Sequence, residues 1–268
     1  MAGRITLRTL KKKKEKGEKI VMVSVYDYTF AKLCQEAGID SVLVGDSLGM
    51  VFQGLDTTLP VSLEEMIYHA RAVRRGAPDA FMVVDMPFLS YQVSVEEAIR
   101  NCGRVMKETG AQAVKLEGGE EIAELVYRLT KIGVPVVGHV GYTPQSVHAF
   151  GGPKVVGKEE EEARKLREDF RALESAGAFM IVLESVPQKL SRELTESSEA
   201  ITVGIGAGRY CDGQVLVLHD ILGLYEEIKP RFVRRYIEGY KLFKEALERF
   251  RKDVVEGRFP SKEESYGA

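Results

Sequence analysis

The sequence predicts a mixed α/β chain folded as a single (β/α)8 barrel of the TIM type, preceded by an N-terminal helix. Three observations lead there. Eight short apolar segments alternate with segments of helical spacing along 268 residues, close to the roughly 250 that a complete barrel needs. None of the eight shows a clean inside/outside alternation, as expected of parallel strands buried on both faces. No linker, repeat or low-complexity tract divides the chain, so residues 1–268 are read as one domain. A doubly wound open sheet is the alternative. It would normally carry a nucleotide loop, and GxGxxG and GxxxxGK[ST] are both absent.

Ile5 to Lys19 is basic and polar, with a run at Lys11 to Lys14. It is read as a solvated helix ahead of the first strand, an anion-binding arm being the alternative. Strand one is Ile20 to Val25, and the helix after it, Thr29 to Gly38, stops at glycine. Strand two, Ser41 to Val44, turns sharply through Gly45 and Gly49, with Asp46 and Ser47 between them. Leu63 to Arg75 is helical. Strand three, Phe81 to Asp85, also ends on an acid. Ser94-Val95-Glu96-Glu97 has the form of a capping box and opens a helix to about Thr109. Strand four is Ala113 to Glu117, the next helix Glu121 to Lys131, and strand five Val134 to His139. Gly141 to Gly157 reads as a long Gly- and Pro-containing loop, expected to border a functional site. A charged helix, Lys158 to Ala176, precedes strand six, Phe179 to Glu184. The helix Gln188 to Ser198, strand seven (Ile201 to Ile205) and strand eight (Val215 to Leu218) follow. The tail from Lys229 to Glu256 is expected to be helical.

Composition limits the partners. A formal net charge of −2 gives no reason to expect nucleic acid or an anionic membrane. No apolar run approaches the roughly 20 residues of a membrane span, and no signal peptide opens the sequence. Cys34, Cys102 and Cys211 form no CxxC pattern. A reducing, cytoplasmic setting is therefore expected. A single asparagine, Asn101, beside 29% charged residues suggests a heat-adapted source.

The chemistry concentrates at strand ends, where barrels build active sites. Asp46 and Asp85, on successive strands, suit a hard cation such as Mg2+. Either alone could simply cap a turn. Lys115 and Glu117, two residues apart, share one face of their strand. They could serve an anionic substrate and a metal, or form a structural salt bridge. Glu184 ends an otherwise apolar strand. Such surroundings raise a carboxyl's pKa and suit proton abstraction; a helix-capping acid is the alternative. His139 is either a hydrogen-bonded core residue or a site residue. Ser47 has no adjacent histidine, so it is expected to hydrogen-bond substrate rather than attack it. Cys211 reads as a packed thiol, and Gly206-Ala207-Gly208 as a phosphate turn or an ordinary tight turn.

Several motifs together resemble the ketopantoate hydroxymethyltransferase family. They are Gly45-Asp46-Ser47-Leu48-Gly49-Met50, Tyr68-His69 with Val73-Arg74-Arg75-Gly76-Ala77-Pro78, and Val114-Lys115-Leu116-Glu117-Gly118-Gly119. To these add Gly138-His139-Val140-Gly141-Tyr142-Thr143-Pro144-Gln145-Ser146, and Gly204-Ile205-Gly206-Ala207-Gly208 with Asp212-Gly213-Gln214. The similarity runs from about Thr6 to Pro260. It implies one Mg2+ per subunit held by Asp46 and Asp85, with Glu117 completing or supporting the shell. It implies a 2-oxo acid substrate, 3-methyl-2-oxobutanoate, chelating that metal, with Ser47, Lys115 and His139 in the substrate pocket. Glu184 would be the proton acceptor. The one-carbon donor would be 5,10-methylenetetrahydrofolate or a related pterin, in pantothenate and coenzyme A biosynthesis. Members assemble as homo-oligomers, decamers in particular. A Mg2+-dependent 2-oxo-acid lyase or phosphonomutase on a related barrel is a rival expectation, and a non-catalytic anion-binding barrel another.

Overall fold

Eight parallel strands pair in chain order and close on themselves, β1 (Ile20–Ser24), β2 (Ser41–Val44), β3 (Phe81–Asp85), β4 (Ala113–Glu117), β5 (Val136–Gly141), β6 (Met180–Glu184), β7 (Ile201–Ile205) and β8 (Gly213–Val217). This computed structural model describes residues 3–267. The barrel interior is filled by side chains from alternate positions, among them Met22, Leu43, Phe81, Val83, Val137, Met180, Val182, Val203 and Val215. The outward positions of the same strands are mostly covered too, so the hydrophobic pattern is continuous rather than alternating.

The basic N-terminal segment has a structural task. Its helix, Leu7–Glu15, inserts the fully buried Leu10 into the barrel core. Lys13 pairs with Asp40 at 2.6 Å and Lys14 with Asp212 at 2.8 Å. These lysines thus fasten the plug to the turns that enter β2 and β8.

Strand and helix bounds follow the sequence closely, with physically intelligible departures. β5 starts at Val136 because the Val134 N–H closes the preceding helix by bonding Leu129 O. The segment 141–157 is not all loop: it holds a 3-10 turn, Pro144–Ser146, and a short helix, Val147–Phe150. Ser94 accepts a hydrogen bond from Glu97 N and caps the helix Val95–Thr109. Reciprocal capping boxes are made instead by Ser62 with Glu65 and by Thr6 with Thr9.

The chain divides into two compact units, 1–217 and 218–268. In the second, the expected helix over 229–256 is shorter, Gly239–Val255. Residues 229–238 are diverted: Tyr236 N bonds Ile221 O, Gly239 N bonds Leu222 O, and Arg235 reaches Tyr225 O. Those bonds replace the i to i−4 pattern a helix would need.

Candidate active site

The inward-facing files of β3, β4, β5 and β6 are apolar in the barrel and turn polar toward their C-terminal ends. Register sets the neighbours: Asp85 lies beside Lys115, Glu117 beside His139, and Gly141 beside Glu184. All but Gly141 carry charge or an ionisable ring, so the strand ends form a chain of contacts across the mouth. Lys115 Nζ is 3.1 Å from Asp85 Oδ1, 3.9 Å from Glu117 Oε1 and 3.0 Å from His139 Nδ1. His139 Nδ1 is also 3.4 Å from Glu117 Oε1, and its Nε2 is 3.2 Å from Glu184 Oε2. Asp46 joins through its backbone N–H, which donates to Asp85 Oδ2 at 3.2 Å. β2 and β6 are four strands apart in a ring of eight, so Asp46 and Glu184 stand on opposite sides.

Burial decides the electrostatics. Asp46, Asp85, Lys115, Glu117 and His139 are all buried, and Glu184 is partly exposed. Asp46 is held well above the ordinary aspartate range by desolvation, then by the charges of Asp85 and Glu117. Asp85 is also pushed up by desolvation, with Lys115 opposing. Glu117 ends below its ordinary range. Burial raises it, but its hydrogen bond to His139 and the charges of His139 and Lys115 outweigh that. The Lys115 ammonium is stabilised upward against its burial by Asp85, Glu117 and Asp46. Burial and Lys115 push His139 down, yet its contacts with the Glu117 and Glu184 carboxylates carry it to about 8. Four acids, Asp46, Asp85, Glu117 and Glu184, thus share the mouth with Lys115 and His139.

Carboxylate oxygens without a Cys or His cluster are the donor chemistry of a hard divalent cation. Asp85 Oδ1 is buried and faces Lys115 without an aligned hydrogen bond, and His139 Nε2 faces Glu184 in the same way. Among the described residues no three His, Cys, Asp or Glu side chains converge as a ready-made metal cluster. The two acids expected to hold a cation, Asp46 and Asp85, are both buried at the mouth. Mg2+ commonly takes one or two carboxylates and completes its octahedron with water and substrate oxygens. Glu117 is turned to other partners: Oε1 to His139 and Lys115, Oε2 to the Gln145 N–H at 3.0 Å.

Two glycines allow these approaches. A Cβ on Gly45 would lie 2.8 Å from Ser24 Oγ and 2.9 Å from Ser47 Oγ, so only glycine fits beside both hydroxyls. Gly141 has φ of +97° and packs its α-carbon against Glu184 O, which sets β5 against the end of β6. Ser47 Oγ shares a hydrogen bond with Tyr26 OH at 2.8 Å, and Ser24 donates to the same phenol oxygen at 3.1 Å. Ser47 thus sits at the mouth on β2's turn, tied to β1.

Sequence reasoning attached no role to Gln145, Tyr91 or Tyr26. Gln145 is buried, and its side-chain N–H groups donate to Asp46 Oδ2 and to Met86 O, both at 2.9 Å. Its carbonyl oxygen accepts from Tyr91 OH and from Gln92 Nε2. The segment 141–157 thus borders the mouth, and Val156 N bonds Ser185 O at its far end. Cys211 is a buried free thiol whose pKa burial raises, consistent with packing. Gly206–Gly208 is a tight turn: Gln214 Nε2 donates to Gly208 O, and the Gln188 side chain packs on Gly208.

Comparison with known proteins adds the family. Residues 4–262 match the family model described as ketopantoate hydroxymethyltransferase. The chain is 67% identical to the 3-methyl-2-oxobutanoate hydroxymethyltransferase of Aquifex aeolicus (strain VF5), over 98% of this chain and 99% of that one. It is 53% identical to the enzyme of the same name from Syntrophotalea carbinolica, over 99% of this chain and all of that one. Among solved structures, phosphonopyruvate hydrolase with oxalate and Mg2+ superposes with a TM-score of 0.66 at 14% identity, covering 97% of this chain and 93% of that one. A 2,3-dimethylmalate lyase superposes with a TM-score of 0.63 at 16% identity, over 97% and 91%. The last two share the barrel fold. The high sequence identity is to the transferases, and the chain belongs to the ketopantoate hydroxymethyltransferase family.

Proposed function

We propose that the chain transfers a hydroxymethyl group from 5,10-methylenetetrahydrofolate, or a related pterin, to 3-methyl-2-oxobutanoate, giving 2-dehydropantoate. The observation that carries this reading is the row of charged strand ends from Asp46 and Asp85 to Glu184 across one mouth. The family match supplies the substrate and the product.

Asp46 and Asp85 would hold Mg2+, with Glu117 in a supporting role through His139, Lys115 and Gln145. When bound, the ion supplies Lewis-acid polarisation of the 2-oxo group. Every other task falls to the chain. Lys115 places a fixed positive charge beside the two aspartates, where an anionic substrate and the oxygen of its enolate need one. Ser47, held by Tyr26, offers a hydroxyl to substrate. Glu184 stands across the mouth and takes the C3 proton through its carboxylate. The bond from C3 to hydrogen breaks and its electron pair passes into the enolate. Water cleaves the two bonds from the one-carbon unit to the folate nitrogens, which releases tetrahydrofolate and leaves the carbon as formaldehyde. C3 then bonds to that carbon, and its oxygen takes up the proton from Glu184 to become the hydroxyl. His139, between Glu117 and Glu184, holds the base in place. By the same family resemblance the chain is proposed to act as a homo-oligomer, a decamer in that family.

Turnover of 3-methyl-2-oxobutanoate with methylenetetrahydrofolate and Mg2+, with and without EDTA, tests this. Product that requires both folate and metal is expected. Metal-dependent cleavage of a 2-oxo acid without any pterin would favour the lyase rival. Tight anion binding without turnover would favour a binding protein.

A further inference from the structure

We propose that Gln145 positions Asp46 for its cation, and so couples the segment after β5 to metal binding at the end of β2. This rests on the metal reading above. The side-chain amide is saturated. Both of its N–H groups are used, by Asp46 Oδ2 and Met86 O, and its oxygen accepts from Tyr91 and Gln92. With four partners fixed, the amide cannot flip, because reversal would set an oxygen against Asp46 Oδ2 and Met86 O. The bond to Asp46 Oδ2 restrains where that oxygen lies.

The same residue reaches the second acid of the network by another route. Its backbone N–H donates to Glu117 Oε2 at 3.0 Å. Tyr91 closes the circuit: its phenol lies 2.9 Å from both Gln145 Oε1 and Glu117 O, and it accepts from Glu117 N at 3.2 Å. Its single proton serves one of the two oxygens at a time. Asp46, Met86, Tyr91, Glu117 and Gln145 therefore form one buried hydrogen-bonded unit spanning the ends of β2 to β4 and the segment after β5. Among the described residues, Gln145 Nε2 is the side-chain donor to the buried Asp46 carboxylate, at 2.9 Å. Gln145 is a positioning residue: it acts on the cation through Asp46.

Gln145→Met keeps the length and the backbone bond to Glu117 while deleting every side-chain hydrogen bond. The probe is Mn2+ alone, titrated by electron paramagnetic resonance into the full chain without substrate. The variant is expected to bind Mn2+ about tenfold more weakly than wild type, the scale typical of outer hydrogen-bond partners of metal ligands. The metal concentration needed for half-maximal turnover should rise by the same factor, while kcat at saturating metal changes far less. A purely structural role would lower both together. Tyr91→Phe, which removes only the phenol oxygen behind Gln145, should weaken Mn2+ in the same direction but less. If Gln145→Met does not fold, Tyr91→Phe decides, and unchanged Mn2+ affinity there overturns the inference. Wild-type affinity in a folded Gln145→Met overturns it as well and leaves the metal reading standing. A wild-type chain that binds no Mn2+ overturns both.

Discussion

Lys115→Met removes the one lysine among the buried acids of the mouth. Methionine fills nearly the same volume, so the loss is electrostatic rather than a cavity. The ammonium sits 3.1 Å from Asp85 and 3.9 Å from Glu117, with all three side chains buried. Breaking a buried pair from one side typically costs about 3–5 kcal/mol, because the remaining charge has no compensation. For a domain of this size that is roughly 6–20 °C in Tm. The cost must depend on pH. Lys115 is what lowers Asp46 and Asp85 from still higher pKa values. Without it both rise further, and the folded variant keeps protons that the unfolded chain has already released. Stability then falls as pH rises. The deficit against wild type should be full near pH 8 and shrink toward about pH 4, where the unfolded carboxyls are also largely protonated. Thermal melts in EDTA across this range measure it. A variant that melts with wild type at every pH, or a deficit independent of pH, would refute the compensating role given to Lys115.

Three further outcomes are expected. Asp46→Asn and Asp85→Asn should each abolish Mg2+-dependent turnover while the far-ultraviolet circular dichroism stays that of the barrel. Full activity with unchanged metal dependence in either would remove the two-carboxylate site. Asp46→Asn should also raise the metal-free Tm at neutral pH, since an aspartate with a raised pKa opposes folding once ionised; near pH 4 the gain should vanish. Gly45→Ala should cost about 1–3 kcal/mol by overpacking and lower substrate affinity, because its Cβ would press on Ser24 and Ser47; denaturant melts and KM check both.

Much of this molecule is legible in its sequence because barrel strands are local. A run such as Phe81 to Asp85 is apolar until its last residue, and that residue is at the mouth. The candidate site was readable for the same reason: Asp85, Lys115, Glu117, His139 and Glu184 all lie on strands at or near their C-terminal ends. What stayed hidden is long-range. Gln145 lies 99 positions from Asp46, and no periodicity marks a turn residue that folds back to a distant carboxylate. Tyr91 bonding the backbone of Glu117 is invisible for the same reason. The lysines of the first helix look like solvated charge, because their partners Asp40 and Asp212 are far along the chain. Residues 229–238 have helical composition, but tertiary hydrogen bonds to residues 221 and 222 override it.

The central claim is that Glu184 removes the C3 proton, and hydrogen exchange isolates that step. With Mg2+ but no folate, wild type should exchange the C3 hydrogen of 3-methyl-2-oxobutanoate with deuterium oxide, followed by proton NMR. Glu184→Gln keeps the shape and leaves Asp46, Asp85 and Lys115 untouched. It should bind Mg2+ and substrate nearly as wild type does, yet exchange slower by about 10²–10⁴, the usual contribution of a general base. Exchange at the wild-type rate in Glu184→Gln would contradict the assignment and move the base to another residue, His139 first.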